Sequence, residues 1–244
     1  MGIGFYHGDC MDFMRDKPDG FYDLAIVDPP YGGGGHSFSN GESRFGGRFD
    51  KYGIAPPEAN KMKVCRTGGT WATKYQSPQG GVFEDAKNQI EFWDYAPSKE
   101  YFDELFRVSK NQIVWGGNYF GLPPCRCFIV WRKLTISETF TMAMAEYAWT
   151  SFNANAKVFE CAPQGNSKHN RFHPSEKPVR LYKWCLNMFA EKGWKRLDTH
   201  GGSMSSAVAA SELGFDMDIC EINDFYFTKG KERVEKSMRQ PSLF

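Results

Sequence analysis

Short, uninterrupted apolar runs alternate along this chain with amphipathic stretches, a pattern that predicts an α/β protein. Leu24, Ala25, Ile26 and Val27 form the clearest run, which stops abruptly at Asp28-Pro29-Pro30-Tyr31 and the glycines Gly32 to Gly35. A wholly apolar run of this length predicts a strand covered on both faces of a parallel sheet. Further strands are expected at 3–7, 112–115, 127–131, 145–150, 195–198 and 215–220. Ser98 is placed to cap a helix that carries acids early (Glu100, Asp103, Glu104) and bases late (Arg107, Lys110), as the helix dipole favours. Pro178 opens an amphipathic run through Phe189. A third helix is expected at 207–213, ended by Gly214, and a last one at 225–238.

A length of 244 residues suits one large α/β domain, or such a domain with an inserted piece. The chain reads as a single domain over 1–244, with 36–95 as a mobile flap or small recognition subdomain. That segment lacks apolar periodicity, and so long a stretch without clear elements is commonly functional. Its aromatic residues (Phe38, Phe45, Phe49, Tyr52, Trp71, Tyr75) interleave with bases, a composition suited to phosphate contact and base stacking.

Net charge is only +1, but its distribution is uneven. Residues 42–74 hold seven Lys/Arg against three acids, and residues 160–196 eight against three. Two basic segments on a neutral chain suit a phosphate-bearing partner. Arg44, Arg48, Lys51, Lys168 and Arg171 are the candidate contacts. The seven cysteines are scattered, and Cys125 with Cys127 is a poor zinc signature, so reduced thiols and no metal are expected. No apolar stretch reaches the roughly 18 residues of a membrane span, and no basic-then-apolar leader opens the chain. A cytoplasmic protein with no membrane partner is the expectation.

Open α/β sheets place chemistry at the carboxyl ends of their strands. There Asp28 offers an acceptor, Pro29 and Pro30 stiffen the backbone and remove two N–H donors, and Tyr31 presents a ring. A second unit lies late in the chain, where a strand ending in Asp198 meets the turn Thr199-His200-Gly201-Gly202-Ser203-Met204. A helix and a strand ending in Glu221 follow. The 19 residues from Gly202 to Glu221 approach the roughly 20 that separate a nucleotide-binding turn from its ribose acid. The third glycine of a dinucleotide fingerprint is missing, which disfavours a nicotinamide oxidoreductase.

Asp28-Pro29-Pro30-Tyr31 resembles the Asp-Pro-Pro-Tyr motif of methyltransferases that act on amino groups of nucleic-acid bases. With this motif first and the glycine turn last, the chain resembles the β-class, circularly permuted DNA amino-methyltransferases, especially the short ones of phages and prophages. His173 to Leu186 is similar to the motif that precedes their cofactor strand, with Lys177-Pro178 the matching pair. The resemblance implies a Rossmann-like S-adenosylmethionine-dependent fold, with a mostly parallel twisted sheet and helices on both faces. It also implies methylation of adenine in double-stranded DNA, the target base flipped out, in a restriction-modification or phage setting.

By the same resemblance Asp28 and the Pro29 carbonyl accept the hydrogens of the amine, within a catalytic segment that includes Pro30, and Tyr31 stacks on the base. Asp9, Asp28, Lys177, Asp198, Thr199, His200, Gly201, Gly202, Ser203 and Glu221 then surround S-adenosylmethionine, Asp198 facing its ammonium and Glu221 its ribose hydroxyls. The sequence departs from the family at His200, where a phenylalanine is usual, and at Met204, in place of the last glycine of the turn. The stretch between Trp149 and His173 is too short for a large target-recognition domain, leaving the flap or a partner subunit, as in a homodimer, to read DNA sequence. Cytosine or RNA as acceptor, and a silent nucleic-acid-binding module, are the alternatives.

Overall fold

The computed structural model describes residues 2–31, 96–137, 143–163, 171–173 and 175–239. The chain divides into one unit of Met1–Pro29 with Pro97–Phe244 and another of Pro30–Ala96. Nearly all of the second unit, with the expected flap and Arg44, Arg48 and Lys51, lies outside the described residues, as does Lys168.

The first unit is built on an eight-stranded sheet. Its strands are β1 (Ile3–His7), β2 (Tyr22–Val27), β3 (Ser109–Trp115), β4 (Phe128–Lys133), β5 (Ala145–Thr150), β6 (Lys157–Cys161), β7 (Arg196–Asp198) and β8 (Met217–Glu221). They lie in the order β1-β8-β7-β2-β3-β5-β4-β6. All neighbours pair in parallel except β5, which runs against both β3 and β4. The expected mixed, mostly parallel α/β sheet is therefore present.

Five helices flank the sheet among the described residues: α1 (Cys10–Arg15), α2 (Lys99–Val108), α3 (Val179–Phe189), α4 (Ser205–Glu212) and α5 (Asp224–Arg239). The side-to-side alternation of a strand sorts β2, from Leu24 onward, between two cores. Leu24 and Ile26 join Ile113, Trp115, Leu181, Leu186, Ala207 and Val234 on the face that carries α3, α4 and α5. Tyr22, Ala25 and Val27 join Met14, Tyr101, Leu105 and Val108 on the face that carries α1 and α2. Leu24 and Ile26 are completely buried, and truncating either to alanine at such a site costs about 2–5 kcal/mol.

Several boundaries differ from expectation. Helix α1 was not anticipated, nor was β6. Helix α4 starts at Ser205 rather than 207, and β8 runs from Met217 to Glu221, so that Glu221 closes the strand. In α4 every residue from Ser205 to Ala210 is buried. Serine and alanine side chains let this helix approach its neighbours closely, which seats its first turn directly behind the loop that follows β7.

The topology gathers chemistry at one edge. Strands β2, β7 and β8 all end there, and the reversed β5 begins there. No helix among the described residues is long and apolar enough to cross a membrane.

Candidate active site

Asp28 leaves the end of β2, where its neighbour Pro29 is buried. Lys177, from the segment just before α3, donates its ammonium to Asp28 Oδ2 at 2.5 Å. The same ammonium lies 3.2 Å from Glu146 Oε2, a charge contact whose geometry misses that of a hydrogen bond. Glu146 Oε1 is in turn 2.5 Å from Lys133 Nζ, at the end of β4. The four side chains form one alternating row, and the two lysines are 5% and 6% exposed. Burial alone pushes Lys177 toward the neutral amine, but the Asp28 and Glu146 carboxylates outweigh it and hold its pKa above the ordinary lysine value. Burial likewise raises Glu146, and Lys177 and Lys133 reverse that and leave it lowered. Lys177 and Glu146 are thus each held in the ionised form, and the Trp115 ring lies 5.5 Å from the Lys177 ammonium.

On the neighbouring strand the chemistry differs. Asp198, ending β7, is buried and held by the backbone N–H of His200 (3.0 Å) and the hydroxyl of Ser206 (2.5 Å). Among the described residues no lysine or arginine pairs with it. Burial pushes its carboxyl up to about 7, against the pull of those two donors, and the charges of Asp28 and Glu221 add to the rise. Glu221 accepts from Gly202 N–H (2.6 Å) and Asn223 N–H (2.8 Å), and burial raises it too. The pair straddles the glycine turn.

The turn depends on backbone freedom at Gly202, whose φ of +49° is left-handed. A Cβ there would also meet the His173 imidazole at 3.0 Å. Met204 adopts the left-handed conformation too (φ 55°, ψ 32°), so the backbone expected of a glycine survives the substitution. Its side chain is fully buried against Gly230 of α5.

The other expected residues fall around this turn. The Thr199 hydroxyl lies 2.6 Å from the Tyr101 hydroxyl and 2.9 Å from His200 Nδ1, and the His200 ring meets Tyr101 edge-on. Burial lowers His200 to about 4, so it is neutral at ordinary pH. Ser203 Oγ and Ser205 Oγ share a hydrogen bond (3.1 Å), and Gly201 packs under the Cys220 carbonyl. Asp9 is exposed and caps α1 by accepting from Met11 N–H at 2.8 Å. Arg171 donates to the Glu176 carbonyl at 2.5 Å, part of the segment leading to Lys177.

Four participants were missed in the sequence. Tyr101 braces Thr199 from α2. Arg233 of α5 donates to the Ser203 carbonyl (2.9 Å) and pairs with Glu176 (3.0 Å). Glu146 and Lys133 complete the charge row. A charged residue at the terminus of an otherwise apolar strand is the one signal that marks the last two.

The fold is that of DNA methyltransferases of known structure. No family model matches the chain. It superposes on PvuII DNA methyltransferase, which is cytosine-N4-specific, with a TM-score of 0.53 at 11% identity, covering 100% of this chain and 88% of that one. The S-adenosylmethionine complex of M1.HpyAVI gives a TM-score of 0.52 at 14% identity, over 95% of this chain and 100% of that one. In sequence the chain is 24% identical over 250 residues to the Escherichia coli (strain K12) protein named "Putative methylase YubD", covering 97% of this chain and 93% of the relative.

Proposed function

We propose that this chain is an S-adenosylmethionine-dependent DNA methyltransferase whose acceptor is the exocyclic 6-amino group of adenine. One observation carries the reading: Asp28 and the Asp198–Glu221 pair stand at the same carboxyl edge, on β2, β7 and β8, which are consecutive in the sheet.

The residues fit the cofactor by charge. Asp198 is buried, raised to about 7 and without a cation among the described residues, so a ligand ammonium supplies what the site lacks. Glu221 already orders two backbone N–H groups and can accept from ribose hydroxyls. When bound, S-adenosylmethionine supplies a methyl group activated by its sulfonium. An aromatic amine is a weak nucleophile because its lone pair is delocalised into the ring. Asp28 and the Pro29 carbonyl accept its hydrogens, favouring a pyramidal nitrogen whose lone pair faces the methyl. Positioning supplies most of the acceleration in such a transfer. Asp28 need not be strongly basic, since the proton becomes acidic once nitrogen is methylated, and its pairing with Lys177 suits that role. Tyr31 follows in the sequence and serves as the stacking surface for a flipped base, a step that costs a few kcal/mol of unstacking. In this reading residues 36–95, with Arg44, Arg48 and Lys51, and the Lys168–Arg171 segment contact DNA.

The test is transfer of tritium from labelled S-adenosylmethionine to mixed DNA and, separately, to RNA, with digestion to nucleosides. N6-methyladenine from DNA supports the proposal. N4-methylcytosine moves the acceptor, label in RNA alone moves the substrate, and no label in either overturns it.

A further inference from the structure

The mechanism above uses Asp28 and its lysine, yet the row of charges continues two residues deeper. Glu146 and Lys133 touch neither Asp28 nor the turn that carries Asp198. They are nonetheless brought to the active edge by the one reversed strand of the sheet. β5 enters at that edge, so Glu146 is near its start, and β4 leaves there, so Lys133 is at its end. Buried charges are expensive unless paired. Here two buried ammoniums alternate with two partly buried carboxylates along one line, from Asp28 through Lys177 and Glu146 to Lys133.

We propose that Glu146 and Lys133 are positioning residues for methyl transfer, acting on the Asp28 carboxylate through the Lys177 ammonium that Asp28 and Glu146 share. This rests on the reading of Asp28 given above. The row sums to zero charge. Lys177 is attracted from both sides, so it holds Asp28 in place without committing its whole charge to it. Lys133 in turn keeps Glu146 ionised. A proton relay along the row is disfavoured, because Lys177 is a weaker acid and Glu146 a weaker base than usual.

Other groups bear on the same charges. Asp198 faces Asp28 from β7, Tyr182 faces Lys177 from α3, and His173, lowered to about 3, is neutral nearby. Lys133 also lies 5.1 Å from the Trp131 ring. Asp198 titrates at about 7 in the wild type and is common to all the variants, so the sign of the difference between them is set by the row itself.

Glu146→Gln leaves the row at net +1, and Lys133→Met leaves it at net −1. In the first variant Asp28 becomes a poorer proton acceptor, and the acidic limb of the kcat–pH profile moves down. In the second Asp28 binds its proton more tightly, and the limb moves up. A displacement of about one pH unit each way is expected from one uncompensated buried charge. At neutral pH kcat falls about tenfold or more in each, while KM for S-adenosylmethionine stays within about twofold. The double variant Glu146→Gln/Lys133→Met is neutral again and should return the limb to its original position. A merely structural role gives two destabilised proteins whose limbs do not separate in opposite directions, and that result would overturn the proposal. So would normal turnover in both single variants.

Carboxylate-carbon NMR titration of Asp28 in the full chain reads the same opposite displacements without any reaction. If the wild-type protein transfers no methyl group yet Asp28 titrates in opposite directions in the two variants, the function assigned above fails while the charge row stands. If transfer is normal and Asp28 does not respond, the row is overturned and the function stands.

Discussion

Two pairs of carboxylates share one edge of the sheet and are treated in opposite ways. Asp28 and Glu146 are each supplied with an ammonium before any ligand arrives. Among the described residues Asp198 and Glu221 receive only N–H and O–H donors, and burial raises both. Paired acids are already compensated, so their role is to stay in place. The second pair gains from an incoming positive charge or hydroxyl, so its role is to bind. The difference separates a positioning region from a binding region within one edge, although the residues involved are of the same type.

The largest expected effect breaks the first region. Asp28→Ala removes the acceptor that orients the amine and leaves the β2 core intact, so methyl transfer should fall by several orders of magnitude, or roughly 4 kcal/mol and more. S-adenosylmethionine affinity, measured by calorimetry, should change little. Near-normal turnover would show that Asp28 does not position the acceptor, and lost cofactor affinity would merge the two regions.

The next effect breaks the second region. Asp198→Ala and Glu221→Ala should each weaken S-adenosylmethionine binding by about 1–3 kcal/mol, the range for hydrogen bonds to charged groups. Wild-type affinity in both, with folding confirmed by circular dichroism, would move the cofactor elsewhere.

The two regions were unequally legible in the sequence. Asp28 stood out in the sequence because the apolar run of β2 stops there at a turn, Asp198 and Glu221 because a glycine turn and a helix lie between them, and α3 because of its amphipathic period. Strand β6 escaped because it lies at the sheet edge, where Val158 points outward and Glu160 is half-exposed, so its pattern is not that of a buried strand. Helix α1 spans only Cys10–Arg15, too short for a periodicity to register. The pairing within the charge row could not be seen. Lys177 and Asp28 are separated by 149 positions, and only the reversal of β5 brings Glu146 between two lysines. Lys177 was read as part of a cofactor motif, whereas in the structure its ammonium contacts Asp28 and Glu146.

The pH dependence of binding sharpens the contrast. Asp198 is raised from 3.8 to about 7, so the site holds a proton below that value. A ligand ammonium favours the ionised form and must displace the proton. Affinity for S-adenosylmethionine should therefore rise from pH 6 to 8 by about tenfold and then level off. Asp198→Asn should bind weakly and without this slope. A slope that persists in Asp198→Asn would assign the titration to another group.

The smallest effect concerns how the binding region is braced, since α5 supports the turn by close packing as well as through Arg233. A Cβ on Gly230 would lie 2.6 Å from Met204 Cγ and 2.9 Å from Sδ. Met204 is itself fully buried in a left-handed turn, which leaves it little room to yield. Gly230→Ala should cost about 1–3 kcal/mol in the wild-type background, the range for overpacking a filled core. With Met204→Ala both side-chain atoms are gone and only the Gly202 carbonyl, at 3.3 Å, remains close, so the same change should cost much less, partly offset by up to about 1 kcal/mol of helix propensity. The resulting coupling of about 1–3 kcal/mol is readable in a denaturant-unfolding cycle. Gly230→Ala alone should also lower S-adenosylmethionine affinity by shifting the turn, while the carboxylate titration of Asp28 stays as in the wild type. Additive unfolding energies would mean that α5 does not seat the turn, and a changed Asp28 titration would mean that the two regions are mechanically one.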